Sequence, residues 1–108
     1  MAKFVVFFTF KGETIRALMD KPSDRAAVAK SLVESAGGTM EAYYVMFGQY
    51  DGFVIADLPD SRAAGAVSLA VSSSGAFGHV ETHEIVSAAD FSAMLESAKS
   101  VQYTPPGG

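Results

Sequence analysis

The chain's two histidines, His79 and His83, stand four residues apart with Glu81 midway between them. On a strand, residues two apart share a face, so the three side chains would form one His-x-Glu-x-His row. Imidazoles flanking a carboxylate can hold a divalent ion or pass protons. The same row on an edge strand also serves as solvated charge that discourages unwanted strand pairing. A second set lies in Gly48-Gln49-Tyr50-Asp51-Gly52. There the Tyr50 phenol would be a hydrogen-bond donor and Asp51 a base or a group that orients a ligand. These five residues also suit a tight turn, with glycine backbone freedom at Gly48 and Gly52 and Asp51 accepting bonds from turn amides. In that reading the Tyr50 ring packs and its hydroxyl stays wet. Arg25 and Arg62 each follow a cap residue, where a cation opposes the helix dipole. Each therefore calls for a partner: for Arg25 a carboxylate such as Asp51 or Asp57, or a bound anion.

The candidate catalytic residues are thus Tyr50, Asp51 and His83. Candidate ligand-binding residues are Tyr50, Asp51, Arg25, Tyr43 and Tyr44, the two tyrosines as walls of an apolar pocket. No metal ligand is assigned; His79, Glu81 and His83 are the residues that would supply one. No phosphate-binding glycine loop, zinc motif or dinucleotide fingerprint is present, and no cofactor is expected. Ser72-Ser73-Ser74 lacks the histidine spacing of a nucleophile elbow and reads as a helix end.

Composition narrows the classes further. The chain has 108 residues, 49% of them hydrophobic, with a net charge of −4. Its pI is near 4.9 and its mean hydropathy +0.22. An acidic chain is a poor partner for nucleic acid or anionic membrane, because phosphate binding needs a basic face. With no cysteine there is no disulfide, thiolate nucleophile or thiolate metal site. The opening "MAKFVVFFTF" is too short to span a bilayer and lacks a signal-peptide layout, so a cytoplasmic protein is expected. A single domain over residues 1–100 and an extended or loose tail over 101–108 follow from the length and from the Pro-Pro-Gly-Gly end.

These groups must be positioned by a small set of elements. Lys3 to Phe10 is β-branched and aromatic and reads as a strand apolar on both faces. "ETIRALMDK" forms a short helix before Pro22. Ser23 or Asp24 caps "RAAVAKSLVESA", which ends at Gly37-Gly38. "TMEAYYVMF" and "FVIADL" are strands flanking the glycine-rich turn. Asp60 caps a helix built of small residues, "SRAAGAVSLAVSSSG", followed by the strand "HVETHEIV". Ser87 with Asp90 opens a last helix.

The order β-α-β-β-α-β plus a terminal helix is the ferredoxin-like α+β arrangement, a four-stranded antiparallel sheet with helices on one face. Strands apolar on both faces with helices for only one side leave the other face to be covered. A second copy would do so, sheet on sheet, as a dimeric α+β barrel. A homo-oligomer, most simply a dimer, is therefore expected.

Beyond these readings, the chain resembles the GYD family, named for the Gly-x-Tyr-Asp seen here at Gly48-Gln49-Tyr50-Asp51. The resemblance extends to Gly12, Ser23 and Arg25, Gly37-Gly38, Pro59-Asp60 and Gly75, and runs from about Phe4 to Phe91. It departs at the fourth strand, where many members carry an Arg-Thr-x-Thr segment and this chain has His79-Val-Glu-Thr-His83-Glu84. The resemblance implies a ferredoxin-like fold and self-association, and no particular activity. Two functions are then compatible with the residues. One is a non-catalytic homo-oligomeric module binding a small apolar or aromatic ligand or a partner. The other is a cofactor-independent enzyme, of monooxygenase or isomerase type, acting on such a molecule inside the barrel.

Overall fold

The computed structural model describes residues 1–108. Strand β1 (Ala2–Phe10) leads into a short helix α1 (Gly12–Asp20) and then helix α2 (Arg25–Ser35). Strands β2 (Thr39–Val45) and β3 (Gly52–Leu58) form the hairpin around the glycine-rich turn. Helix α3 (Ser61–Ser72), strand β4 (Phe77–Ile85) and helix α4 (Ala88–Ala98) complete the chain. The sheet order is β2-β3-β1-β4 with every neighbouring pair antiparallel. This is the strand arrangement of the ferredoxin-like fold, in an α+β chain with four helices.

Local chemistry sets the helix ends. The Asp24 side chain accepts from the Ala27 amide at 3.1 Å, and Asp60 accepts from Ala63 at 2.9 Å. Ser87 accepts from Asp90 at 3.0 Å. Each satisfies one amide that the first helical turn leaves without a partner. At the far end of α2, Gly37 takes φ 85°. The Gly38 amide reaches back to the Val33 carbonyl and the Gly37 amide to Glu34, both at 3.0 Å. That is a Schellman ending, and it turns the chain sharply into β2.

The period of β3 organises the two sides of the sheet. Gly52, Val54, Ala56 and Leu58 are buried, while Phe53, Ile55 and Asp57 alternate with them half-covered. The buried set packs with Phe4, Val6 and Phe8 of β1, Val33 of α2, and Ala64 and Val67 of α3 into one core. Helices α2 and α3 cover this side. On the other side buried Val5, partly buried Phe7, Phe53 and Ile55, and exposed Tyr44 form an apolar field with no helix layer over it. We call it the bare face.

Helix α4 contributes no buried residue, and Phe91, Met94 and Leu95 are all about half exposed. The chain as a whole is correspondingly open. Its accessible surface is 7378 Å² and its radius of gyration 17.3 Å. A compact monomer of this size would show roughly 5,700 Å² and about 13 Å.

Candidate functional site

The turn Met46–Asp51 joins β2 to β3, and Asp51 is the residue that fixes it. Its amide donates to the Phe8 carbonyl at 2.8 Å, and its carbonyl accepts from the Met46 amide at 2.9 Å. Its carboxylate accepts from the Phe10 amide at 2.7 Å. Asp51 thus extends the β1–β3 ladder with its side chain, doing for Phe10 what another strand residue would have done. The expected acceptor role holds, but the donor comes from β1 and not from the turn or from Arg25. An aspartate used in this way has one carboxylate oxygen committed to the backbone.

The two glycines flanking the turn serve different ends. Gly48 has φ 128°, in the region closed to most side chains, with open space where a Cβ would stand. Gly52 is needed for room: a Cβ there would lie 2.5 Å from Phe8 Cζ and 2.7 Å from the Tyr44 carbonyl oxygen.

Tyr50 leaves the turn in the opposite direction, over the bare face. Its ring sits 5.1 Å from that of Phe7, and its hydroxyl donates to Glu81 on β4. The contact spans β1, because Phe7 lies directly between the hairpin side and its register partner Glu81. The hydroxyl is therefore partnered, where the turn reading left it wet. The bond to a carboxylate raises the Tyr50 pKa above its usual value and lowers that of Glu81.

The histidine row shares the same face. Thr9, Phe7 and Val5 of β1 are paired with His79, Glu81 and His83. His79 Nε2 lies 3.5 Å from Glu81 Oε2, and His83 Nε2 lies 3.6 Å from Glu81 Oε1. Glu81 is thus the hub of a small polar cluster, with a phenol and two imidazoles around one carboxylate. His83 also meets Phe7 edge-on, with ring centroids 6.2 Å apart. Around the cluster run Phe7, Phe53 and Tyr44, with Phe7–Phe53 centroids at 6.0 Å and Tyr44–Phe53 at 5.6 Å. Nearer the start of β1, Lys3 bridges Glu41 at 3.0 Å and Asp57 at 3.1 Å. Asp57 is therefore the partner of Lys3 and not of Arg25.

Arg25 and Tyr43 stand on the other side of the sheet. Tyr43 is paired with Val54, a core residue, and its ring packs 5.9 Å from Phe8. Arg25 and Tyr43 line a pocket of about 300 Å³ between α2, α3 and the covered face of the sheet. Burial raises the Tyr43 pKa, and the Arg25 charge partly offsets this. The five residues proposed for ligand binding are thus divided. Tyr44 and Tyr50 belong to the bare face, Arg25 and Tyr43 to the pocket, and Asp51 to the ladder end between them. Of the candidate catalytic residues, Tyr50 and His83 meet through Glu81, while Asp51 is spent on the backbone.

Sequence reasoning missed one member of the cluster's surroundings, Phe53. The signal was present, since Phe53 alternates out of phase with the core residues of its strand. It missed the pocket because nothing in the spacing of α2 and α3 tells how far apart the two helices lie.

The GYD domain pattern matches residues 4–95 of the chain. No curated protein sequence matches it. Among solved structures, the crystal structure of FFRP-DM1 is similar, with a TM-score of 0.54 and 14% identity. The likeness covers 80% of this chain and 100% of that one. At that identity it extends to the fold alone.

Proposed function

The chain belongs to the GYD domain family, and from that premise we propose that it is a non-catalytic homo-oligomeric binding module whose copies pair through their bare sheet faces. The observation that carries this reading is the bare face itself. Tyr44 is 62% exposed and, with Phe53 and Phe7, forms a contiguous aromatic surface beside Val5 and Ile55. Two such faces packed together make the dimeric α+β barrel, with the Tyr50–Glu81 cluster inside it. There the carboxylate enters the interface already bonded to a phenol, which lowers the cost of desolvating it. The ligand such a module would hold is small and apolar or aromatic, matching the walls on both sides of the sheet.

Sedimentation equilibrium tests the pairing. The expected species has twice the 11.3 kDa chain mass, and Tyr44→Lys returns it to the single-chain mass. A wild-type chain that sediments as a monomer at micromolar concentration rejects the reading.

One observation favours an enzyme instead. A phenol bonded to a carboxylate, with two imidazoles against the same carboxylate, can relay a proton to a molecule enclosed between two sheets. That fits an isomerase type of reaction on an aromatic substrate better than oxygen insertion. If Tyr50→Phe and Glu81→Gln both keep the fold and assembly but abolish turnover of a small aromatic acid, the enzyme reading replaces the first.

A further inference from the structure

The pocket on the helix side carries a chemistry that the bare face lacks. Fifteen of its seventeen lining residues are hydrophobic. Phe8 and Val54 form part of its floor, and Leu32 of α2 and Val71 of α3 stand on opposite walls. The two polar exceptions are Ser74 and Arg25. Ser74 is occupied, its hydroxyl donating to the Val71 carbonyl at 2.7 Å and accepting from the Ala76 amide at 3.3 Å. Arg25 is not: the residue is partly buried, and its guanidinium makes no ion pair or side-chain hydrogen bond. In a chain of net charge −4, an arginine with no carboxylate at the edge of an apolar pocket is an unmatched charge.

We propose that this pocket binds a small monoanionic amphiphile, an apolar chain or ring bearing one carboxylate, with Arg25 on the carboxylate. The planar guanidinium fits a carboxylate in a two-point bond, which a phenol or a neutral head group cannot form. The Tyr43 phenol, on the same lining, is a second donor for the head group. At about 300 Å³ the pocket is at the small end of ligand sites, so a short chain or a single ring suits it. The inference rests on the binding half of the proposed function and is independent of the pairing of bare faces, which lie across the sheet.

Titration calorimetry on the full chain with octanoate and 1-octanol tests it. Octanoate should bind, and octanol should bind about tenfold more weakly, the loss of one charge-assisted contact. Arg25→Gln should bring octanoate down to the affinity of octanol without changing the sedimenting mass. Ala70→Phe, at a lining position with an exposed side chain, should exclude both probes while leaving the thermal melt intact. Equal affinity for the two probes in the wild type overturns the proposal, as does binding of neither. A third outcome also overturns it: Leu95→Glu lowers the mass and only then admits octanoate. That result would mean that α4 of a second copy fills the pocket. The two readings fail separately. A chain that pairs but does not bind octanoate loses this inference alone, and a monomer that binds octanoate loses the pairing alone.

Discussion

The two faces of one sheet are built from the same residue types and end in opposite states. On the covered face, Phe4, Val6, Phe8, Val54, Ala56 and Leu58 are closed over by α2 and α3. On the bare face, Phe7, Phe53, Ile55 and Tyr44 are as apolar and have no helix layer over them, only the Tyr50 ring against Phe7. What separates the faces is their polar content. The covered face brings in one unmatched cation at its rim, Arg25. The bare face carries ionised groups that already have partners within the chain, Lys3 with Glu41 and Asp57, and Glu81 with the Tyr50 hydroxyl. Groups bonded in this way need no outside partner of their own. A rim with a free cation is ready for an anion.

The largest expected effect tests whether the faces differ in how they support the fold. Leu58 is 1% exposed, so Leu58→Ala leaves a cavity in the core and should cost about 3 kcal/mol. Tyr44→Lys removes a similar amount of apolar side chain from the bare face. It should dissociate the assembly while leaving the unfolding free energy of the separated chain, from urea denaturation, within about 0.5 kcal/mol of that of the wild-type chain. If Tyr44→Lys unfolds the separated chain as Leu58→Ala does, the bare face is part of the monomer core and the comparison fails.

The hairpin between the faces gives the next three effects. Gly52→Val forces side-chain atoms into Phe8 and the Tyr44 carbonyl and should cost about 2–3 kcal/mol through overpacking. Gly48→Val meets no neighbour and suffers only from its backbone angle, so about 1–2 kcal/mol is expected. Equal losses would mean that both positions are governed by backbone conformation. Asp51→Asn keeps an oxygen for the Phe10 amide but removes the charge on the acceptor, and about 1 kcal/mol should be lost. Denaturant unfolding of the three variants ranks them.

Much of this arrangement was legible in the sequence. The order of elements along the chain, the caps at Asp24, Asp60 and Ser87, and the double-glycine end of α2 follow from local chemistry, because each depends on neighbours within a few residues. The two-sided apolar character of β1 predicted a face without a cover. The partners of Tyr50 and Asp51 were not legible. Glu81 is 31 residues from Tyr50, and Phe10 is 41 from Asp51. Those contacts depend on strand register and on which way a turn residue leaves the sheet. Tyr43 and Tyr44 show the same limit. Alternation tells that they face opposite ways, and only the pairing of Tyr43 with Val54 tells which of them enters the core. The assignment of Arg25 to Asp51 or Asp57 failed because Lys3, across the strand from Asp57, was the nearer cation.

The smallest effect is a titration, and it reads both faces at once. Two phenols have raised pKa values for different reasons: Tyr50 because it donates to Glu81, and Tyr43 because it is buried beside the covered face. An ultraviolet titration of the wild type should therefore show two of the four tyrosines ionising late. Glu81→Gln removes the charged acceptor, so the Tyr50 phenol should return toward its ordinary value near 10 while Tyr43 stays late. The linkage has a definite sign on each side. The raised phenol stabilises the fold fully below its unfolded value near 10, and this contribution is lost as pH rises through the folded value. The lowered Glu81 carboxyl stabilises the fold above its unfolded value near 4.5, and this is lost as pH falls through the folded value. Tyr50→Phe should lower the middle of the melting profile slightly and leave its acid and alkaline ends close to wild type, because the bond is already lost there and the ring still packs on Phe7. In the paired assembly both effects should grow, because enclosing the Tyr50–Glu81 bond raises the penalty for leaving either group unpartnered. If the profile of Tyr44→Lys, held as single chains, matches that of the wild-type assembly at both ends, then the cluster is not enclosed by pairing. The polar row would then lie outside the interface between copies.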